Sequence, residues 1–93
     1  MKEFKFIGME EYACFTCDHV INKERAILFV SHDDDGYWQF LCGSSDHSEE
    51  NARIISLKEV TELDSSVNDL YELKMNYGAR RATKEHKWDI FNF

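Results

Sequence analysis

Two strand-like segments joined by an acidic turn constrain this chain more than any other feature. Residues 25–32 are rich in β-branched and aromatic side chains, and residues 37–42 alternate so that Trp38 and Phe40 share one face of a strand. Between them, residues 33–36 read Asp-Asp-Asp-Gly, which is typical of a tight turn because Asp and Gly tolerate its backbone angles. The pattern predicts a β-hairpin whose tip is acidic.

Shorter strand-like segments flank this hairpin. Residues 12–15 precede it and residues 53–55 follow it, while residues 79–83 and 88–91 predict two final strands around a turn. Because most of these segments are joined by short turns, we expect neighbouring strands to pair antiparallel.

Two short helices are predicted between these strands. Ser56 and Glu59 have the spacing of a capping box, which marks the start of the first helix. The second begins at Asp64 or Ser65, and Gly78 is placed to end it in a left-handed conformation. Its apolar face comprises Val67, Leu70, Tyr71 and Met75. Helices segregated late in the chain favour an α+β fold with a mainly antiparallel sheet of about four to five strands.

Length and hydrophobicity bound the class of protein. The chain has 93 residues, of which 43% are hydrophobic, and this suffices for one domain over residues 1–93 with its own core. The longest apolar run, residues 26–30, is far shorter than the ~20 residues of a membrane span, so no membrane partner is expected. Charges interrupt residues 1–6, unlike a signal peptide, and a cytoplasmic location with reduced cysteines is therefore expected.

Charge points to the kind of partner. Acidic residues outnumber basic ones by 18 to 11, which gives a formal net charge of −7. Such a chain repels phosphate backbones, so nucleic acid is not expected to bind, whereas a basic protein such as a basic toxin would be steered towards it. We expect a non-enzymatic domain that binds another protein through the hairpin tip and the following loop. The predicted binding residues are Asp33, Asp34, Asp35, Tyr37, Asp46, Glu49 and Glu50.

The three cysteines leave a second function open. Cys14 and Cys17 form a C-x2-C pair, and Cys42 and His47 follow, so the four side chains could form a Cys3His zinc site. His19 is a competing ligand. The alternative is that the thiols pack as small apolar groups in the core, in which case no cofactor is expected.

A third interpretation is an enzyme. His19 and His47 each follow an Asp that could orient the imidazole for general-base chemistry, but no nucleophile motif accompanies either pair. A thioredoxin-like use of Cys14 and Cys17 is disfavoured because the chain has no proline and residues 18–21 are not a convincing helix start.

Several segments taken together also carry a family resemblance. They are Asp18-His19-Val20, Trp38-Gln39-Phe40-Leu41-Cys42-Gly43, Asp46-His47, Ser56-Leu57, Asp64-Ser65-Ser66-Val67, Gly78-Ala79-Arg80-Arg81 and Trp88. The chain resembles a family of small bacterial proteins of unknown function, in which a hairpin ending in Trp-Gln-Phe-Leu-Cys-Gly precedes a polar loop and two short helices. Its layout is distantly similar to immunity-type proteins of bacterial toxin systems, which implies a cytoplasmic inhibitor that binds a toxin through complementary charge.

Overall fold

The computed structural model describes residues 5–6, 8–43 and 52–92 and shows an α+β fold. The six strands form one sheet in the order β4-β1-β3-β2-β5-β6. Their bounds are β1 Ala13–Cys17, β2 Phe29–His32, β3 Trp38–Leu41, β4 Ala52–Ser56, β5 Tyr77–Arg80 and β6 Asp89–Asn92. The helices are α1 Asp18–Ile21, α2 Leu57–Leu63 and a 3-10 helix over Ser65–Leu70. None of the helices in these ranges is long and apolar enough to cross a membrane.

The sheet is larger than the expected four to five strands, and it is mixed. Strands β1 and β3 are parallel neighbours, while β1–β4, β2–β3, β2–β5 and β5–β6 are antiparallel. The parallel pair arises because the hairpin joins β1 through its second strand, β3, rather than through β2, which comes next in the chain. This arrangement places the carboxyl ends of β1 and β3 side by side.

The hairpin itself is confirmed. Val30 pairs with Phe40 and His32 with Trp38 across β2 and β3. The turn closes through hydrogen bonds from Asp33 N to Tyr37 O at 2.8 Å and from Gly36 N to Asp33 O at 3.0 Å. Gly36 adopts a φ of 89°, in the left-handed region that favours glycine.

One face of the sheet holds the core. Strand register puts Cys14, Val30, Trp38, Phe40 and Ala79 on the same side, and all are buried. The helices cover this side, and their apolar contribution to the core is Val20 from α1, Leu57 and Val60 from α2, and Val67 and Leu70 from the 3-10 helix. The predicted capping box at the start of α2 is present, with Glu59 N donating to Ser56 Oγ at 3.1 Å.

The second predicted helix is much shorter than expected. It is a 3-10 helix that ends at Leu70, and Tyr71 and Met75 are exposed rather than part of an apolar face. Gly78 lies within β5 instead of ending a helix. Glycine is needed here because the Phe91 ring packs closely against the backbone, and a Cβ at this position would lie 2.6 Å from Cζ of Phe91. The expectation that residues 18–21 would not start a helix was also wrong, since they form the single turn of α1.

An ion pair with a buried guanidinium fastens the start of the 3-10 helix to the segment that precedes β2. Arg81 Nη2 donates to Asp64 Oδ2 and to the Ile27 carbonyl oxygen, both at 2.8 Å. The guanidinium also lies 4.0 Å from the centre of the Trp88 ring. Asp64 in turn accepts from Ser66 N as the N-cap of the 3-10 helix, so one arginine joins three separate segments.

Candidate binding surface and thiol cluster

The acidic tip is a built turn rather than a loose loop. Asp33 Oδ2 accepts a hydrogen bond from Gln39 Nε2 at 2.8 Å, and Asp35 Oδ1 accepts from Tyr37 N at 3.1 Å. The side chains of Asp34 and Asp35 are exposed, while Asp33 is half-buried. The turn therefore presents two carboxylates to solvent, and the hydrogen bond that holds Asp35 lowers the entropy lost when a partner binds.

An exposed aromatic ring continues this tip onto the sheet. Tyr37 is 45% exposed, and its ring packs edge-on against Phe15 with centroids 5.8 Å apart. Phe15 pairs with Gln39 on β3 and with Ile54 on β4, so its side chain lies on the face opposite the core. Ile54 is also exposed. Carboxylates and apolar side chains are thus adjacent on one surface.

The far half of the same sheet face is also aromatic. Phe29 and Phe91 lie with ring centroids 5.9 Å apart, and the Arg80 guanidinium lies 4.9 Å from the centre of the Phe91 ring. The helices of the described ranges pack their buried residues on the opposite face, in the core. We call Phe15, Tyr37, Ile54, Phe29 and Phe91 the open face.

Four residues of the predicted sites belong to the polar segment after β3. Asp46, Glu49 and Glu50 lie outside the described residues, as does His47, the fourth ligand of the predicted zinc site. Of the predicted binding residues, Asp33, Asp34, Asp35 and Tyr37 are described and lie together at the tip.

A second group of chemically active side chains converges at the other end of β3. Donor atoms of Cys17, His19 and Cys42 all lie within 4.8 Å of one another, and Cys42 Sγ is 4.0 Å from Nδ1 of His19. Cys17 ends β1, Cys42 directly follows β3, and His19 lies in α1. The parallel pairing of β1 and β3 brings the two thiols together, and the turn of α1 folds the imidazole back towards them. We call these three residues the thiol cluster.

Charged groups surround the thiol cluster. Arg25 Nη1 donates to Cys42 Sγ at 3.8 Å, and Asp18 Oδ1 lies 3.8 Å from Nδ1 of His19. Burial raises the pKa of the Cys17 thiol, while the backbone N–H groups of Cys42 and Val20 act in the opposite direction. Burial therefore favours the neutral form of the Cys17 thiol. Backbone N–H groups lie beside Cys17 and the Arg25 guanidinium lies beside Cys42, where they could donate to thiolates.

Cys14 is not part of this cluster. Its Sγ donates to the Ile55 carbonyl oxygen at 3.3 Å, on the core side of the sheet. Burial, with a smaller contribution from Glu59, raises the pKa of its thiol to about 12. Cys14 and Cys17 are three residues apart along β1, and in an extended strand this separates their Cα atoms by about 10 Å. Cys14 and Cys17 are therefore not positioned to bind the same metal ion in this structure.

The described histidines have different surroundings. His32 stacks on Trp38 at 4.0 Å between ring centroids, and its Nδ1 donates to the Leu73 carbonyl oxygen at 2.7 Å. These contacts fix the segment before β5 against the core. Of the described histidines, only His19 lies beside thiols. The sequence indicated it as a competing metal ligand and as a possible general base, but its position beside Cys42 depends on the parallel strand pair.

Comparison of the chain with protein-family models, with curated protein sequences and with solved structures found no match. The function has therefore to be argued from the two regions themselves.

Proposed function

We propose that this chain is a non-enzymatic protein-binding domain whose binding surface is the acidic tip together with the adjoining part of the open face. The observation that carries the proposal is the contact between Tyr37 and Phe15, which joins an exposed aromatic ring at the tip to the apolar sheet face. Tyrosine is enriched in protein interfaces because it buries a large ring at little entropic cost.

Charge defines the kind of partner. Asp34 and Asp35 are exposed at the tip, and the whole chain carries a net charge of −7. A partner with Lys or Arg around an apolar contact would match this surface, and the charge would accelerate association at low ionic strength. A basic toxin, the partner that the resemblance to immunity-type proteins implies, has this character.

This surface can be tested by crosslinking from two tyrosine positions that are equally exposed. Tyr37 and Tyr71 are both 45% exposed, but Tyr71 directly follows the 3-10 helix and is not part of the acidic turn. We would replace each in turn with a benzophenone amino acid and irradiate cells that express the full chain. The proposal expects a specific adduct from position 37 and none above background from position 71.

The charge requirement is tested in the same experiment. The double variant Asp34→Asn, Asp35→Asn removes two exposed charges and leaves Asp33, which is bonded to Gln39, intact. The control Glu24→Gln, Glu62→Gln removes the same number of negative charges at the α1 end of the molecule. These two glutamates line cavities that Lys23 also lines. An adduct that persists in the tip variant, or that is lost equally in the control, would contradict the proposal.

A further inference from the structure

The geometry points to a Zn²⁺-binding site formed by Cys17, His19 and Cys42, with water as the fourth ligand. This site is independent of the proposed protein-binding surface, because it lies at the opposite end of β3 from the acidic tip. It also differs from the ligand set that the sequence predicted: His19 takes part and Cys14 does not.

The ligand types select the metal. Two thiols and one imidazole are donors that Zn²⁺ favours, whereas Ca²⁺ and Mg²⁺ require oxygen ligands. Three protein ligands and a solvent molecule complete the tetrahedral geometry of a zinc site that is not closed by four side chains. The side chain of His19 is 19% exposed, so solvent reaches the cluster from this side.

The distances are close to those of a formed site. Zn–S bonds of about 2.3 Å and Zn–N bonds of about 2.0 Å at tetrahedral angles put a sulfur and a nitrogen about 3.5 Å apart, and two sulfurs about 3.8 Å apart. Cys42 Sγ and His19 Nδ1 are 4.0 Å apart, and no pair in the cluster exceeds 4.8 Å. Adjustments of about half an ångström to one ångström in the side chains would close the site.

The surroundings suit thiolate ligands. Two thiolates beside one Zn²⁺ leave the cluster neutral overall, so burial does not isolate a net charge. Cys17 is 2% exposed and Cys42 is 4% exposed, which protects the sulfurs from solvent. The Arg25 guanidinium lies 3.8 Å from Cys42 Sγ, where it can donate a charge-assisted hydrogen bond to a thiolate.

The fold explains why these ligands are held together. Each cysteine lies at the carboxyl end of one of two parallel, hydrogen-bonded strands, so their spacing is set by the sheet. The α1 turn is closed by hydrogen bonds from Glu24 N and Arg25 N to the His19 carbonyl oxygen, at 2.8 and 3.2 Å. Two ligands are thus fixed by the sheet and the third by a tied turn, which is the preorganisation that a metal site needs.

The test uses the whole 93-residue chain and two metals. Zn²⁺ bound per chain is measured by mass spectrometry of the metal after equilibration with a small excess and gel filtration. Co²⁺ is titrated separately, because tetrahedral thiolate coordination gives it strong visible and near-ultraviolet absorption. The inference expects about one Zn²⁺ per chain and the thiolate-to-cobalt bands.

Three variants locate the site. Cys17→Ser, Cys42→Ser and His19→Asn should each weaken Zn²⁺ binding by at least about 100-fold, the upper end of what the loss of an outer-shell partner costs. Cys14→Ala is the matched control, since it removes a buried thiol outside the cluster, and it should keep full stoichiometry. His19→Asn is the variant least expected to disturb folding, because the His19 side chain is partly exposed whereas both cysteines are buried.

Two outcomes would overturn the inference. One is less than about a tenth of an equivalent of Zn²⁺ on folded wild-type protein, without cobalt–thiolate bands. The other is binding that survives in folded His19→Asn but disappears in folded Cys14→Ala, which would mean that the ligands are those the sequence spacing suggested. Either result leaves the proposed protein-binding surface untouched, because no residue is shared between the two.

Discussion

The two ends of β3 carry opposite kinds of chemistry. At its start, exposed carboxylates and Tyr37 face solvent on a hydrogen-bonded turn. At its end, Cys42 is buried beside a second thiol and an imidazole. The first end is charged and accessible, which suits association with a macromolecule. The second end offers sulfur and nitrogen ligands that are buried from solvent, which suits a metal ion. One strand of four residues separates them, so the two properties can be altered independently.

The largest expected effect concerns what holds the thiol end together. Arg81→Met should reduce the free energy of unfolding by about 3 kcal/mol, because the Asp64 carboxylate and the Ile27 carbonyl oxygen both lose the buried guanidinium that donates to them. The Arg81 side chain is 1% exposed, whereas that of its neighbour Arg80, paired with Asp89 at 3.7 Å, is 63% exposed. Arg80→Met is therefore the control and should cost less than about 1 kcal/mol. Urea unfolding of both variants measures the difference, and equal losses would contradict this account.

Zinc should stabilise the thiol end and leave the tip unchanged. At a free Zn²⁺ concentration about 100 times the dissociation constant, the folded state gains about 2.7 kcal/mol. For a domain of this size that corresponds to a rise of roughly 10–20 °C in melting temperature. The gain should vanish in Cys17→Ser and persist in Asp34→Asn, Asp35→Asn. A gain of the same size in all three proteins would show that the metal binds elsewhere.

The third prediction separates the core thiol from the cluster by its pH dependence. The pKa of Cys14 is raised from 9.0 to about 12 in the folded protein, so the folded state favours the protonated thiol. Its contribution to stability is therefore complete below pH 9 and is lost as the pH rises from 9 towards 12, at about 1 kcal/mol per pH unit. Because other groups titrate in this range, the measurement is the difference in unfolding free energy between wild type and Cys14→Ala at pH 8 and pH 10. A difference that stays constant would contradict the prediction.

The smallest effect is expected at the tip. Asp34→Asn, Asp35→Asn should change the free energy of unfolding by less than about 0.5 kcal/mol, since both side chains are exposed and Asn can still accept from Tyr37 N. Asp33→Ala should cost more, because it leaves Gln39 Nε2 without its acceptor. Thermal unfolding of the two variants compares them. A tip variant that melts far below wild type would mean that these carboxylates are structural rather than a binding surface.

Local signals in the sequence predicted some elements well. The hairpin, its acidic tip and the capping box of α2 each depend on residues within a few positions of one another, and all three are confirmed. Features that depend on contacts between residues far apart in the sequence were predicted less well. The stripe through Tyr71 and Met75 predicted a longer second helix, but the chain turns after Leu70 and leaves both side chains exposed. The requirement for Gly78 comes from the Phe91 ring, thirteen positions along the chain.

The thiol cluster shows the same difference between local sequence signals and contacts that depend on the fold. The spacing of Cys14 and Cys17 suggested a shared ion, but their separation along β1 places them apart, and this becomes visible only once β1 is known to extend through Cys17. His19 is two residues from Cys17, and the sequence indicated it only as a competing ligand. Its proximity to Cys42, 23 residues away, depends on which strand lies next to β1.

By itself, the sequence determined the α+β class, the hairpin, the acidic balance and the residues available for chemistry, because periodicity, turn composition and charge are properties of neighbouring residues. Only the tertiary structure decided that β1 lies parallel to β3, that the sheet has six strands, and which cysteines meet. Strand order depends on the packing of the whole core, in which many weak contacts between distant residues compete, and no short segment encodes its outcome.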